Sequence, residues 1–323
     1  MRKALVIGIN KYPFSPLQGA VNDAEEFAKV MELNADGSPN FQVHLEKDVL
    51  TKSRLKKLII ELFKGDTPYT LFYFSGHGFF NEHGGGYLVT PDMKEYDEGV
   101  SMDEILEIAN KSKAQNRIII LDCCHSGAMG SPNLTGGISS FLHQGVTILS
   151  ASRDNEPAKE INGQGVFTSL LLDALKGGAA DLRGHITPGS VYAYIDQSLG
   201  EWGQRPVFKT NITRFISLRE VIPQTSKEVL RKIITYFPVP DKEFPLNPSF
   251  EDTNSKEVKH ELVEPVAIAE KVAIFKDLQK LQSIGLIIPV DAPFMYFAAM
   301  ESKSCKLTTL GHHYWRLVKE RKI

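Results

Sequence analysis

The sequence predicts an α/β protein, a mostly parallel sheet flanked by helices, followed by a small C-terminal winged-helix-like domain. Three observations carry this. Short β-rich runs alternate with helical patterns through the first two-thirds of the chain. Proline and polar residues then dominate after about residue 220, and periodic order returns from residue 261 onward. A chain of 323 residues has room for one large domain and a small one, and the composition shifts place them at 1–218 and 261–323, with 219–260 as a linker.

The apolar run KALVIGI (3–9) predicts a buried first strand. GAVNDAEEFAKVMEL (19–33) sets Ala20, Ala24, Phe27 and Met31 on one helical stripe. FQVHLEKD (41–48) is a second strand, and Thr51 or Ser53 caps a helix running through Leu62. YTLFYFSGHG (69–78) and NRIIILDCCHSG (116–127) are a third and a fourth strand. A short hairpin at 79–91 and a helix over 101–111 separate them. GVTILSAS (145–152) is a fifth strand, and helices follow at 165–178 and 187–200, the second with Pro188 in its first turn. Strands alternating with helices of this length mark βαβ units and a parallel sheet.

The segment from Pro223 to Glu261 carries five prolines and one short helical pattern around 227–236. Beyond it, EKVAIFKDLQKLQSIG (270–285) is an amphipathic helix stopped by Gly285. LIIPV, DAP and FMYFAAM read as strand, tight turn and strand. A threonine-capped helix through Leu310, Tyr314, Leu317 and Val318 closes the chain. Helix, hairpin and helix in this order suggest the winged-helix-like form.

The totals exclude several classes. The chain is 42% hydrophobic and 24% charged with a formal net charge of −2, which argues neither for nucleic acid nor for an anionic membrane. The apolar run Ala4–Ile9 is too short for a signal peptide and ends at Asn10-Lys11. No apolar run reaches the roughly 18 residues that a bilayer span needs. Three cysteines (Cys123, Cys124 and Cys305) form no disulfide framework, which suggests a reducing, cytoplasmic setting.

Two predicted strands end in reactive residues: the third in Ser75-Gly76-His77-Gly78, the fourth in Asp122-Cys123-Cys124-His125. In an open parallel sheet, ligands bind beyond the carboxyl ends of the strands. If these two strands are neighbours, an imidazole faces a thiol, the arrangement a cysteine nucleophile needs. Gly76 and Gly78 let the backbone turn around His77, and a free N–H after the histidine suits an oxyanion. Other readings exist. Cysteine is among the most buried residue types, and by strand alternation Cys123 and Cys124 face opposite ways, so one of them belongs to packing. A zinc site from His77, His83, Cys123, Cys124 and His125 lacks the usual ligand spacing, and adjacent cysteines make a poor redox pair.

YFSGHG and DCCHSG resemble the two signature motifs of the caspase-like cysteine peptidases (clan CD, family C14), metacaspases and their bacterial relatives above all. ALVIGINKY, LQGAVNDAEEF, LSASRDNEPAKE, GVFTSLLLDAL and QRPVF extend the resemblance over about residues 1–218. The resemblance implies a cysteine endopeptidase with His77 as the catalytic histidine and Cys124, the cysteine just before His125, as nucleophile. The N–H groups of Gly78 and Cys124 would form the oxyanion hole. It also implies a substrate pocket of the metacaspase kind, built from Asp23, Ser75 and Asp122. Two carboxylates and a hydroxyl suit an arginine or lysine side chain, so the protein substrate would carry Arg or Lys before the cleaved bond. Taken singly, Asp23 is also favoured in a first helical turn by the macrodipole, and Asp122 also suits a turn.

No cofactor is expected. Some metacaspases bind calcium through acids after the hairpin and beyond the nucleophile. Asp92, Asp103 and Glu104 fall near the first group, but HSGAMGSPNL has no acid where the last ligand would stand. Cap chemistry explains Asp103 and Glu104 equally well. From His125 through Ser152 the chain holds no Lys or Arg, so a basic-specific enzyme cannot process itself there. It would work as one chain or be cut elsewhere, for instance in 242–259.

Residues 261–323 carry nine Lys/Arg against seven Asp/Glu, too small an excess to support phosphate binding. The small domain is therefore expected to dock a regulatory protein partner, as winged-helix modules resembling it do in bacterial defence and signalling proteins, and the whole protein to act in a bacterial defence, stress or cell-death pathway. The rival reading is a catalytically silent caspase-like scaffold or DNA-associated regulator. The joint presence of His77, Cys124, Gly78, Asp23 and Asp122 argues against it.

Overall fold

The computed structural model describes residues 1–81, 85–123, 142–151, 160–161, 164–199, 205–213, 216–257 and 262–323. It divides into two compact units, Met1–Ile222 and Pro223–Ile323.

In the first unit the elements run β1 (Arg2–Gly8), α1 (Ala20–Glu32), β2 (Phe41–Lys47), α2 (Lys52–Phe63) and β3 (Tyr69–Ser75). A small antiparallel sheet follows, of β4 (Gly78–Asn81), β5 (Gly85–Leu88) and β6 (Val100–Ser101). Next come α3 (Met102–Lys111), β7 (Asn116–Asp122), β8 (Val146–Ser150), β9 (Glu160–Ile161), β10 (Gln164–Gly165), α4 (Val166–Asp173), β11 (His185–Ile186), α5 (Pro188–Leu199), β12 (Val207–Asn211) and β13 (Arg219–Glu220). The main sheet has the order β12-β8-β7-β3-β1-β2, parallel throughout except for β12, which pairs antiparallel with β8. This is the mixed α/β fold that the alternating pattern predicts.

The central strands are apolar on both faces because helices cover both. Leu5, Ile7, Phe72, Phe74, Ile119 and Leu121 pack with α2 and α3, while Ala4, Val6, Leu71, Tyr73, Ile118 and Ile120 pack with α1, α4 and α5. The stripe predicted for α1 is buried as expected, and Thr51 caps α2 by accepting from Arg54 N–H. Gly8 lets the end of β1 approach α1. A Cβ there would stand 2.4 Å from the Ala20 carbonyl oxygen and 2.8 Å from Ala24 Cβ.

The second unit differs from its sequence reading at two places. Its elements are α6 (Lys227–Arg231), α7 (Ile233–Tyr236), β14 (Phe244–Pro245), α8 (Ala269–Ser283), β15 (Ile287–Val290), α9 (Met295–Met300), β16 (Ser304–Leu307) and α10 (Thr309–Lys319). Much of the stretch read as a linker belongs to this unit. β14 pairs with β16, and the buried Asn254 amide bonds the carbonyls of Pro248, Val263 and Pro265 and the N–H of Val263. One side chain there satisfies backbone that composition alone marks as irregular. FMYFAAM, read as the second strand of a hairpin, forms α9, with Met295, Ala298 and Ala299 buried at helical spacing. The strand that pairs with β15 is instead Ser304–Leu307. Thr308 caps α10 and Val318 is buried, both as predicted, but Gly311 also faces inward and Leu310 is exposed.

Candidate active site

β3 and β7 are neighbours, in a register that sets Ser75 opposite Asp122; across β1, Gly8 stands opposite Ser75. All three lie at the carboxyl end of the sheet, where an open α/β fold places its ligands. Ser75 and Asp122 end their strands on the face covered by α1 and α4, being in phase with Tyr73 and Ile120. Asp23, in the first turn of α1, reaches the same place. Ser75, Asp122 and Asp23 are 3%, 6% and 2% exposed.

Hydrogen bonds hold the carboxylates. Asp23 Oδ2 accepts from Gly165 N–H at 3.1 Å. Asp122 Oδ2 accepts from the Thr168 hydroxyl at 2.6 Å. With that proton committed, the Thr168 oxygen accepts from the Tyr73 O–H, 2.6 Å away. Burial first, then the charges of Asp122 and Asp23, push the Tyr73 phenol far above its ordinary pKa, so it remains a donor. Gly165 stands between the two acids. A Cβ on it would lie 2.5 Å from Asp122 Oδ2 and 3.1 Å from Asp23 Oδ2. Any side chain there would displace the carboxylates.

His77 follows Gly76, whose N–H donates to the Asp122 carbonyl at 3.4 Å. A Cβ on Gly76 would meet the Tyr12 hydroxyl at 2.6 Å, so the turn after β3 depends on glycine. Tyr12 supports the histidine from below. Its hydroxyl accepts from His77 N–H at 3.0 Å and donates to the Val89 carbonyl at 3.2 Å, and its ring centroid is 4.5 Å from the imidazole. Burial raises the Tyr12 pKa, with Cys123 and Asp48 adding to it, and keeps the phenol protonated. The imidazole Nε2 lies 2.6 Å from the Ser15 carbonyl oxygen. A carbonyl only accepts, so Nε2 carries the proton. In the neutral ring, Nδ1 is then left with a lone pair, the form a general base needs.

Cys123 is 1% exposed and packs with Ile119 and Leu121, on the face opposite Asp122. Cys124, His125 and His83 lie outside the described residues, and Gly78 opens β4 directly after His77. Of the acids weighed for calcium, Asp92 accepts from Lys52 N–H at 3.0 Å and from the Thr90 hydroxyl at 2.6 Å. Glu104 pairs with Lys56, and Asp103 sits in the first turn of α3. Among the described residues no group of three or more His, Cys, Asp or Glu side chains is placed to hold a metal ion, and no helix is long and apolar enough to cross a membrane.

Sequence reasoning did not find Ser15, Tyr12, Tyr73, Thr168 or Gly165. A backbone carbonyl such as that of Ser15 leaves no signature in a sequence. Thr168 did leave one, as a hydroxyl on the otherwise apolar buried face of α4.

Comparison with known proteins covers the part of the chain that holds these residues. The family described as the caspase domain matches residues 1–215. Similar solved structures include a protein from Geobacter sulfurreducens, 19% identical, covering 66% of this chain and 95% of that one with a TM-score of 0.49. Caspase-1 from Spodoptera frugiperda is 13% identical, covering 68% of this chain and 90% of its own at a TM-score of 0.49. No curated protein matches. The chain belongs to the caspase domain family.

Proposed function

We propose that this member of the caspase domain family is a cysteine endopeptidase that hydrolyses proteins after arginine or lysine. The observation that carries the specificity is the meeting of Asp23, Ser75 and Asp122 at one end of the sheet, with both carboxylates bordering Gly165. Two buried acids and a hydroxyl match a guanidinium or an ammonium better than any acidic or apolar side chain.

In this reading Cys124 attacks the carbonyl carbon of the bond after the basic residue. His77 Nδ1 takes the thiol proton and returns it to the leaving nitrogen. The N–H groups of Gly78 and Cys124 hold the developing oxyanion. Water then attacks the thioester with His77 as base, releasing the acid and restoring the thiol. The Ser15 carbonyl stabilises the imidazolium in each half-reaction and holds the ring in one tautomer. The second unit serves as a docking module for a regulatory protein, and the setting is a bacterial defence, stress or cell-death response.

Fluorogenic peptides that differ only in the residue before the cleaved bond test the reading. Arg and Lys peptides are expected to be cut and the Asp peptide spared, with all activity lost in Cys124→Ala and kept in Cys123→Ala. Cleavage after Asp, or activity that survives Cys124→Ala, contradicts it.

A further inference from the structure

The acid cluster uses one face of the sheet edge. On the other side the His77 ring forms part of the wall of a cleft of ≈ 400 Å³. Phe14, Phe79, Val89 and Met93 make its lining apolar, and Lys94 and Glu95 stand at its rim. Asp23, Ser75 and Asp122 take no part in it. Phe14 and Phe79 remain 53% and 37% exposed, so the chain leaves two large rings in water beside the imidazole.

The wall is built rather than loose. Val89 N–H donates to the His77 carbonyl at 3.0 Å, and the Tyr12 hydroxyl holds the Val89 carbonyl. Met93 N–H donates to the Thr90 carbonyl at 3.0 Å, and Lys94 and Asp97 exchange two backbone hydrogen bonds. Asp92 is fixed on the first N–H of α2, and Lys52 Nζ reaches Asp97 at 2.6 Å. A cleft held this way needs little ordering on binding.

Resting on the peptidase reading, we infer that this cleft receives the side chain that follows the cleaved bond and selects an apolar one. The acid cluster takes the side chain before the bond. The imidazole must hand its proton to the leaving nitrogen, which belongs to the next residue, so that residue's side chain emerges against His77. The cleft with His77 in its wall is where it goes. Its volume is at the lower end for ligand pockets and suits one side chain of leucine to phenylalanine size. Lys94 and Glu95 oppose each other in charge, so the rim offers no field that favours a charged residue.

Internally quenched peptides with Arg before the bond and Leu, Phe, Gly or Asp after it test the inference on the full-length protein. The Leu and Phe peptides are expected to exceed the Gly peptide in kcat/KM by roughly tenfold or more, with Asp lowest. Met93→Ala and, separately, Phe79→Ala bring the Leu-to-Gly ratio within about threefold, since each removes apolar wall. Phe79 is 37% exposed whereas Met93 packs against the core of the first unit, so the Phe79 variant remains informative if Met93→Ala fails to fold. Equal rates on all four peptides, or a ratio that survives both substitutions, overturn the inference and leave the peptidase reading standing. Failure to cut any of the four removes both.

Discussion

Ser75 and Asp122 on one side of the sheet edge and His77 on the other are close neighbours in the chain, yet their surroundings are opposite. The acids are nearly sealed, gripped by α1, α4 and the row of strand ends, and among the described residues Gly165 N–H and the Thr168 hydroxyl support them. His77 is half-buried, packed at a tilt against the Tyr12 ring and tethered through the Ser15 carbonyl, with an apolar cleft open beside it. In the proposed reading the difference separates two tasks. Selection of a charged side chain needs desolvated partners that do not move, whereas proton transfer needs a ring with one nitrogen fixed and the other accessible.

The contrast predicts different losses on the two sides. His77→Ala is expected to lower kcat by about 10²–10⁴, since general acid–base catalysis contributes that much, with little change in melting temperature. Asp122→Asn is expected to cut kcat/KM for the Arg peptide by roughly 30- to 1000-fold, the loss that follows when a buried charge loses its partner. A melting scan beside the kinetics distinguishes the two, because Asp122 is also bonded into the core through Thr168. Gly165→Ala tests the closeness of the two acids. The backbone there, φ −64 and ψ 129, accepts alanine, so the cost is the crowding of the two carboxylates, Asp122 foremost, about 1–3 kcal/mol in stability by overpacking. A raised KM for Arg peptides should accompany it. Thr168→Val should have the smallest effect. It removes the donor to Asp122 and the acceptor for Tyr73, costs about 1–3 kcal/mol of stability, and should preserve the preference for Arg over Asp. If it abolished that preference instead, the acids would depend on Thr168 more than the comparison allows.

The first unit was legible in the sequence because its strands are short apolar runs buried on both sides and its helices have one clean stripe. β1 to α3 fall close to their predicted bounds for this reason. β12 escaped notice since VFKTN is an edge strand, half-exposed, with three consecutive polar residues after Phe208. In the second unit, FMYFAAM misled because a short apolar run does not separate strand from helix, and the buried set Met295, Ala298 and Ala299 is decided by packing. The ordered segment around Asn254 was hidden because its hydrogen bonds go from a side chain to distant backbone. The site divides in the same way. Side chains with chemistry, His77, Asp23, Ser75 and Asp122, were visible as residues, while Ser15 and Gly165 act through backbone atoms that any residue carries.

Covalent trapping with an irreversible ketone that presents arginine to the pocket tests the central claim most directly. Peptide mapping by mass spectrometry identifies the alkylated thiol. The account predicts one label, on Cys124, formed much faster than with the matching aspartate reagent and slowed strongly in Asp122→Asn. A label on Cys123, or equal labelling by the aspartate reagent, would contradict it.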